Sequence, residues 1–289
     1  MRYMGKKVNP TRFDRSQIKS YAFLLPVAII MALPIIYIIV TAFKPLNELF
    51  AYPPRFFVRR PTLQNFRDLS RASSTMGIPF SRYLLNSVVS TVIVVALSVI
   101  LSLSAGYVLS KKDFRGKKLL FSINTLSMMF VPAAVGIPRY LVISEIALLN
   151  TFWVLIFPML AMPVGLFLVK QFIDSVPDSL VESAQMDGAT DFLIVRKIIA
   201  PIVSPALVTV AMLAFQSSWN AVEASNLYIT NDALKTLPFY MSILTSQANI
   251  VAGAGLSAAA SLIQLIPNLI VFIALQGRVM NTMAHSGIK

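Results

Sequence analysis

Between Arg82 and Lys111 the chain reads YLLNSVVSTVIVVALSVILSLSAGYVLS, 28 residues without a charge. A charged side chain at the centre of a bilayer costs roughly 2.5–3.5 kcal/mol on insertion scales, so such a run marks a membrane span. About 20 apolar residues let an α-helix cross the hydrocarbon. Outward from this run the pattern repeats. Lys19 and Lys44 bracket 24 uncharged residues, Lys118 and Arg139 bracket 20, Glu145 and Lys170 bracket 24, and Lys197 and Glu223 bracket 25. The last run, Lys235 to Arg278, holds 42. Its first part, Leu237–Gly255, is rich in Pro238, Ser242, Thr245, Gln247, Asn249, Gly253 and Gly255 and reads as a loop, leaving a span near Leu256–Gln276. The expectation is an all-α polytopic membrane protein with six transmembrane helices.

Composition agrees. Of 289 residues 56% are hydrophobic and 13% charged, and the mean hydropathy is +0.73. A soluble domain carries about a quarter charged residues, so a soluble enzyme and a disordered chain are both excluded. Cysteine is absent, which removes disulfides, thiolate zinc sites and thiol nucleophiles. The formal charge of +13 fits the Lys and Arg that cytoplasmic loops collect; no basic face of the kind that binds nucleic acid is visible.

The loops set an orientation. The segment 1–19 carries Arg2, Lys6, Lys7, Arg12, Arg15 and Lys19, and the second connection is KKDFRGKK, Lys111–Lys118. Both belong in the cytoplasm by the positive-inside rule. Six spans then place both termini inside, and Arg278 and Lys289 in the tail 278–289 agree. The first run, 20–43, is too long for a signal-peptide core and stays as a helix. The segment 44–82 is external, yet it holds seven basic residues against Glu48 and Asp68. Long loops tolerate charge, by contact with headgroups or solvent. Alternatively, this surface attracts an anionic substrate or an acidic partner.

The fourth connection, 171–200, is acidic on a face otherwise basic: Asp174, Asp178, Glu182, Asp187 and Asp191 against Arg196 and Lys197. Its core reads SVPDSLVESAQMDGATDFLIVRKIIAPIVSP, Ser175–Pro205. Pro177 suits a helix start, and Ser179 with Glu182 has capping-box spacing. Gly188 fits a left-handed residue just past a helix end, and Thr190 can cap a second helix. Two short helices joined at a glycine follow.

Polar stripes mark three spans. Ser87, Thr91, Ser98 and Ser102 share a face of the second, where helix packing is the preferred reading. Gln216, Asn220 and Glu223 share a face of the fifth, with Trp219 beside them. Ser257, Ser261, Gln264 and Asn268 share a face of the sixth. Gln, Asn and Glu are costly against lipid, so the last two stripes are read as a water-filled pathway. Trp219 suits either a sugar ring or the interface. Only Glu223 is ionisable in a span, which argues against the alternative reading, a stand-alone ion-coupled carrier or channel. No G-x-x-x-x-G-K-[ST] phosphate loop occurs, so any ATP is bound elsewhere. No metal cluster or Ser/His arrangement is visible, and the lone His285 reads as a tail residue.

Glu182, Ala184, Gly188, Pro201 and Pro205 stand at offsets 0, 2, 6, 19 and 23. This resembles the "EAA" motif of inner-membrane permeases of binding-protein-dependent ABC importers. The chain departs from the pattern in reading ESA, with Ser183 in second place, and in having Val195 at a usually aromatic position. GIPRYL (Gly136–Leu141), LLNTFW (Leu148–Trp153), FLVKQF (Phe167–Phe172) and Phe215 with Trp219–Asn220 resemble the maltose-type carbohydrate branch. The stretch RYMGKKVNPTRFDRSQIK, Arg2–Lys19, resembles the smaller permease of alginate-oligosaccharide importers.

The resemblance implies a type I importer permease fold with a core over 83–277, in a bacterial inner membrane. It implies half of a pathway for a sugar or oligosaccharide, completed by a second homologous permease. The loop residues Glu182, Ser183, Ala184, Asp187, Gly188 and Ala189 would couple to an ATPase dimer, which would bind ATP and Mg while this chain binds no cofactor and does no chemistry. Asn249, Gly253 and Gly255 would lie in an outer loop reaching a solute-binding protein.

Overall fold

A computed structural model describes residues 18–75, 77–131, 134–247 and 253–286. Among these the regular structure is helical. In chain order the main helices are α1 (Ile18–Ala42), α2 (Gln64–Thr75), α3 (Phe80–Lys111), α4 (Lys117–Ser127), α5 (Gly136–Glu145), α6 (Pro163–Asp174), α7 (Asp178–Met186), α8 (Asp191–Ile194), α9 (Ser204–Trp219), α10 (Glu223–Leu227), α11 (Leu237–Gln247) and α12 (Ala254–Ser286). The chain divides into two compact units. One contains residues up to Leu69 together with Gln247–Leu262; the other contains Ser70–Ser246 and the residues from Ile263 onward.

Three helices are long and apolar enough to cross a membrane: Ser20–Ala42, Phe80–Lys111 and Ala254–Gly277. Two further segments qualify as bent pairs. Phe152–Leu160 and Pro163–Asp174 meet at 44°, and Asp191–Ile202 and Ser204–Trp219 meet at 85°. By length and composition the described residues hold three to five candidate spans, a count consistent with the six expected. The expected third span, 119–138, is divided into α4 and α5. α4 ends at Ser127 and α5 begins at Gly136, with Pro138 in its first turn, where a proline is tolerated.

Proline also shapes the fifth segment. Pro201 cannot donate to the carbonyl four residues back. The helix widens into a π turn over Val195–Ile199 just before it, and the bend falls at Val203. The expected loop over Leu237–Gly255 is a correction: its first part is the helix α11, started by Pro238, with Leu237, Phe239, Tyr240, Met241 and Leu244 buried. Its polar residues masked a helical apolar pattern.

In the larger unit α3 packs against α6 and α9. The serine and threonine stripe of α3 is the seam. Ser87, Thr91, Ser98 and Ser102 are all buried. Ser87 Oγ accepts the Leu237 N–H at 2.8 Å, and the Thr91 and Ser218 hydroxyls pair at 3.2 Å. Small side chains let the helices approach: a Cβ at Gly106 would meet Val169 Cγ1 at 3.1 Å, and one at Gly165 would meet Ser102 Oγ at 3.1 Å. Packing is therefore the role of this stripe.

Candidate functional site

The acidic connection folds as two short helices around Gly188. α7 ends with two linked hydrogen bonds, Gly188 N–H to Gln185 O and Ala189 N–H to Ala184 O, both 2.9 Å. This is a Schellman closure, which needs a left-handed residue at its turn. Gly188 supplies it with φ +80°. The start of α7 differs from the expected capping box. Pro177 stands at the N-cap without a side-chain bond, so Ser179 and Glu182 lie two positions too far into the helix to form that box. Thr190 does occupy the N-cap of α8, also without a side-chain bond.

α7 is two-faced. Val181 and Ala184 are buried in one apolar core with Tyr107 of α3, Ile173 of α6, Ile194 and Ile199 of the second arm, and Val210 of α9. Glu182, Ser183, Asp187 and Gly188 face outward, and Ala189 is half-buried. The outward face is also apolar in part. Met186 is 89% exposed and Phe192 73%, with Leu180 and Leu193 beside them in sequence. The buried face fixes the loop to three membrane helices at once.

A clamp that the motif does not contain holds the loop in place. Lys111 Nζ stands 2.6 Å from Asp178 Oδ1, and Lys112 Nζ stands 2.7 Å from Asp191 Oδ1. Tyr107 donates its hydroxyl to the same Asp191 oxygen at 3.0 Å. Ser110 and Lys170 both donate to Asp174 at 2.6 Å. Asp178 and Asp191 each open a helix, and Lys111 and Lys112 stand at the end of one, the arrangement that helix dipoles favour. The opposite charges of segments 111–118 and 171–200 were the available signal.

The polar stripes of the fifth and sixth segments meet. Gln264 Nε2 and Asn268 Nδ2 each lie 3.4 Å from Asn220 Oδ1. Asn220 in turn donates to Gln216 O at 2.9 Å. Gln216, Asn220 and Glu223 are exposed, and Gln264 and Asn268 half-buried. Glu223 opens α10 rather than continuing the stripe on the same helix. α9 has 16 residues, about 24 Å at 1.5 Å each, less than the roughly 30 Å of hydrocarbon. α9 alone is thus shorter than the hydrocarbon, and it qualifies as a span only together with the bent arm before it.

Trp219 behaves differently from the expectation of a sugar-stacking or interfacial ring. It is 2% exposed, stacks on Phe215 at 5.9 Å, and donates its indole N–H to Gln264 O at 3.0 Å. It borders a cavity of about 550 Å³ whose walls, Thr91 apart, are apolar. Asn249 lies outside the described residues. Gly253 and Gly255 are buried at the start of α12, and a Cβ at Gly255 would meet Asn65 Oδ1 at 2.7 Å, so that glycine has a packing task.

Residues 98–277, which take in the loop, its clamp and the polar cluster, match the family described as binding-protein-dependent transport system inner membrane component. The chain belongs to this family. It is a transport subunit and a multi-pass inner-membrane protein. The polygalacturonan/rhamnogalacturonan transport system permease protein of Bacillus subtilis is 33% identical over 74% of this chain and 72% of its own. The diacetylchitobiose uptake system permease protein of Streptomyces coelicolor is 26% identical over 90% of this chain and 92% of its own. Among solved structures, a bacterial ABC transporter involved in the import of the acidic polysaccharide alginate shares the fold with a TM-score of 0.78. The match covers 93% of this chain and 99% of that one at 22% identity.

Proposed function

We propose that this permease forms half of the translocation pathway of an ATP-driven oligosaccharide importer, and that the Gly188 helix pair is its handle for a separate ATPase. One observation carries this reading: Val181 and Ala184 anchor α7 in the core shared by α3, α6 and α9, while Met186 and Phe192 on the same loop are exposed. A push on the exposed face is passed to three membrane helices through a close-packed core, which transmits strain rather than absorbing it. ATP and Mg²⁺ belong to the ATPase dimer. A second, homologous permease completes the pathway, with Gln216, Asn220, Glu223, Gln264 and Asn268 on this chain's share and Trp219 behind them.

A solute-binding protein delivers the sugar, and the segment holding Asn249, Gly253 and Gly255 is its contact on this chain. Both termini are cytoplasmic. The relatives' substrates include an acidic and a neutral saccharide, so the class is oligosaccharide and the charge is decided by assay. The test is purification from the native host followed by ATPase measurement in proteoliposomes. A P-loop ATPase is expected to co-purify, and activity is expected to rise with binding protein loaded with one of two oligomers, galacturonate or N-acetylglucosamine. Uptake driven by an ion gradient in liposomes holding this chain alone would overturn the reading.

A further inference from the structure

The segment after α1 is built, not slack. Asn65 Nδ2 donates to Ala42 O and Lys44 O, both at 2.8 Å, and so satisfies carbonyls that the helix end leaves without partners. The Thr62 N–H donates to Phe43 O at 2.9 Å, which closes residues 44–62 into a loop whose two ends meet. Glu48 accepts the N–H groups of Arg59 and Arg60 at 3.0 and 2.9 Å and fixes the far arm. Lys44 is only 6% exposed and donates to the carbonyl of Arg55.

This loop folds back along the span instead of rising away from it. The rings of Phe56 and Tyr37 lie 6.2 Å apart, and Phe57 packs on Phe56 at 5.1 Å. Tyr37 is five residues inside α1, about 7.5 Å short of its end at the usual helical rise. Phe56 and Phe57 therefore stand at the depth of the last turns of a membrane span. Phe57 is nevertheless 70% exposed, and Phe50 58%. Phenylalanine rings exposed at that level fit the apolar side of a bilayer boundary better than water. A cavity of about 230 Å³ opens among Tyr37, Lys44, Glu48 and Arg55, with Leu49, Pro54 and Ala254 as its apolar wall. Lys44 brings three N–H donors, of which the Arg55 carbonyl takes one among the described residues. Arg55, Arg59 and Arg60 add three positive charges against the single Glu48.

We propose that the loop 44–62 is a lipid-binding element: Phe56 and Phe57 enter the headgroup–acyl boundary, and Lys44 with Arg55 holds the phosphate of an anionic phospholipid. The charge fits a phosphate, and the rings beside it fit an acyl chain. A soluble anionic sugar would use the charge and leave the rings in water. The inference requires only that α1 spans the membrane and holds for either orientation. It gives a defined site to the headgroup contact that the sequence allowed for these arginines, in place of an anionic substrate or an acidic protein.

The test uses the full chain, which has no native cysteine. Phe57→Cys carrying an environment-sensitive fluorophore is placed in nanodiscs of phosphatidylcholine and phosphatidylglycerol. Brominated acyl chains are expected to quench it, and aqueous iodide is not. Native mass spectrometry of the detergent-purified chain is expected to retain phosphatidylglycerol over phosphatidylcholine. Arg55→Gln/Arg59→Gln/Arg60→Gln should lower that retention at least about tenfold, since each basic group near an anionic surface contributes roughly 1 kcal/mol. Its helical circular dichroism, compared with the parent, checks that it folds. Inorganic phosphate and a galacturonate oligomer should not displace the lipid. Quenching by iodide, silence to both quenchers, or equal retention of the two lipids would overturn the proposal. So would a triple variant that needs more loaded binding protein for half-maximal ATPase stimulation, which would assign the arginines to an acidic partner.

Discussion

The Lys112 ammonium stands 2.7 Å from the Asp191 carboxylate, and the neighbouring Lys111 stands 2.6 Å from Asp178. Two consecutive lysines at the end of α3 thus grip the first residue of each short helix flanking Gly188. The grip is electrostatic and partly exposed, so each pair is worth up to about 1 kcal/mol. A double-mutant cycle of Lys112→Met and Asp191→Asn, read from thermal unfolding in detergent, should show coupling of about 0.5–1 kcal/mol that shrinks in high salt. Functionally, Asp178→Asn with Asp191→Asn should keep basal ATPase activity and lose most of its stimulation by loaded binding protein. Additive single effects and full stimulation would mean that the apolar core alone holds the loop.

Gly188 is the second lever. No heavy atom lies within 4 Å of where its Cβ would stand, so crowding is not the constraint; the constraint is φ +80°. A left-handed residue other than glycine costs roughly 1–2 kcal/mol, least for Asn and most for β-branched residues. The expected order of binding-protein-stimulated ATPase activity is Gly188, then Asn, then Ala, then Val, with membrane insertion unchanged throughout. Wild-type stimulation in Gly188→Val, measured in proteoliposomes, would separate the left-handed turn from coupling.

Much of this was readable in the chain because its signals are local. The φ of Gly188 follows from its place after an apolar half-turn, and the spans follow from charge-free runs. What was not readable is non-local. The clamp needs Lys111 and Asp178 brought together across most of a membrane hairpin. Only the opposite charges of two loops hinted at it. Trp219 was misplaced because an aromatic residue reads alike at an interface, a sugar site or a core; its indole N–H found Gln264 O, 45 residues away. α11 was hidden because Ser242, Thr245 and Gln247 dilute its apolar face, and the third charge-free run gave no sign that it would fold as two helices, α4 and α5.

The polar cluster yields a labelling prediction. Asn220 Oδ1 receives the amides of Gln264 and Asn268 at 3.4 Å, a long and weak contact. Such contacts exchange readily with water. Single cysteines at Gln216, Asn220, Gln264 and Asn268 should react with a small aqueous thiol reagent, and the rates at Asn220 and Gln264 should change between nucleotide-free and ATP-trapped states. By contrast, Trp219→Cys should resist labelling. Trp219→Ala should destabilise by about 3–5 kcal/mol as a buried truncation, which lowers the yield of folded protein in detergent. Protection of all four polar positions in both states would remove this face from the pathway.

Glu48 makes the loop after α1 sensitive to acid in one direction only. The Arg59 N–H foremost, then that of Arg60, with the charges of Lys44 and Arg55, hold its carboxyl below the usual carboxylate value against the opposing effect of burial. A depressed acid contributes order above its unfolded pKa, and that contribution is lost as pH falls through the lowered value. An unperturbed glutamate titrates near about 4.3. From pH 8 down to 5 the loop should therefore keep its shape, and it should loosen only in stronger acid. Amide exchange in a peptide containing Arg59 and Arg60, corrected for intrinsic rate, reads this directly. Protection should be flat from pH 8 to 5 in the parent and severalfold lower across that range in Glu48→Ala, with Glu48→Gln in between because its amide oxygen still accepts. A fall in protection between pH 7 and 5 in the parent would show that another group holds the far arm, and the lipid-facing geometry would then rest on the Lys44–Arg55 contact and the rings alone.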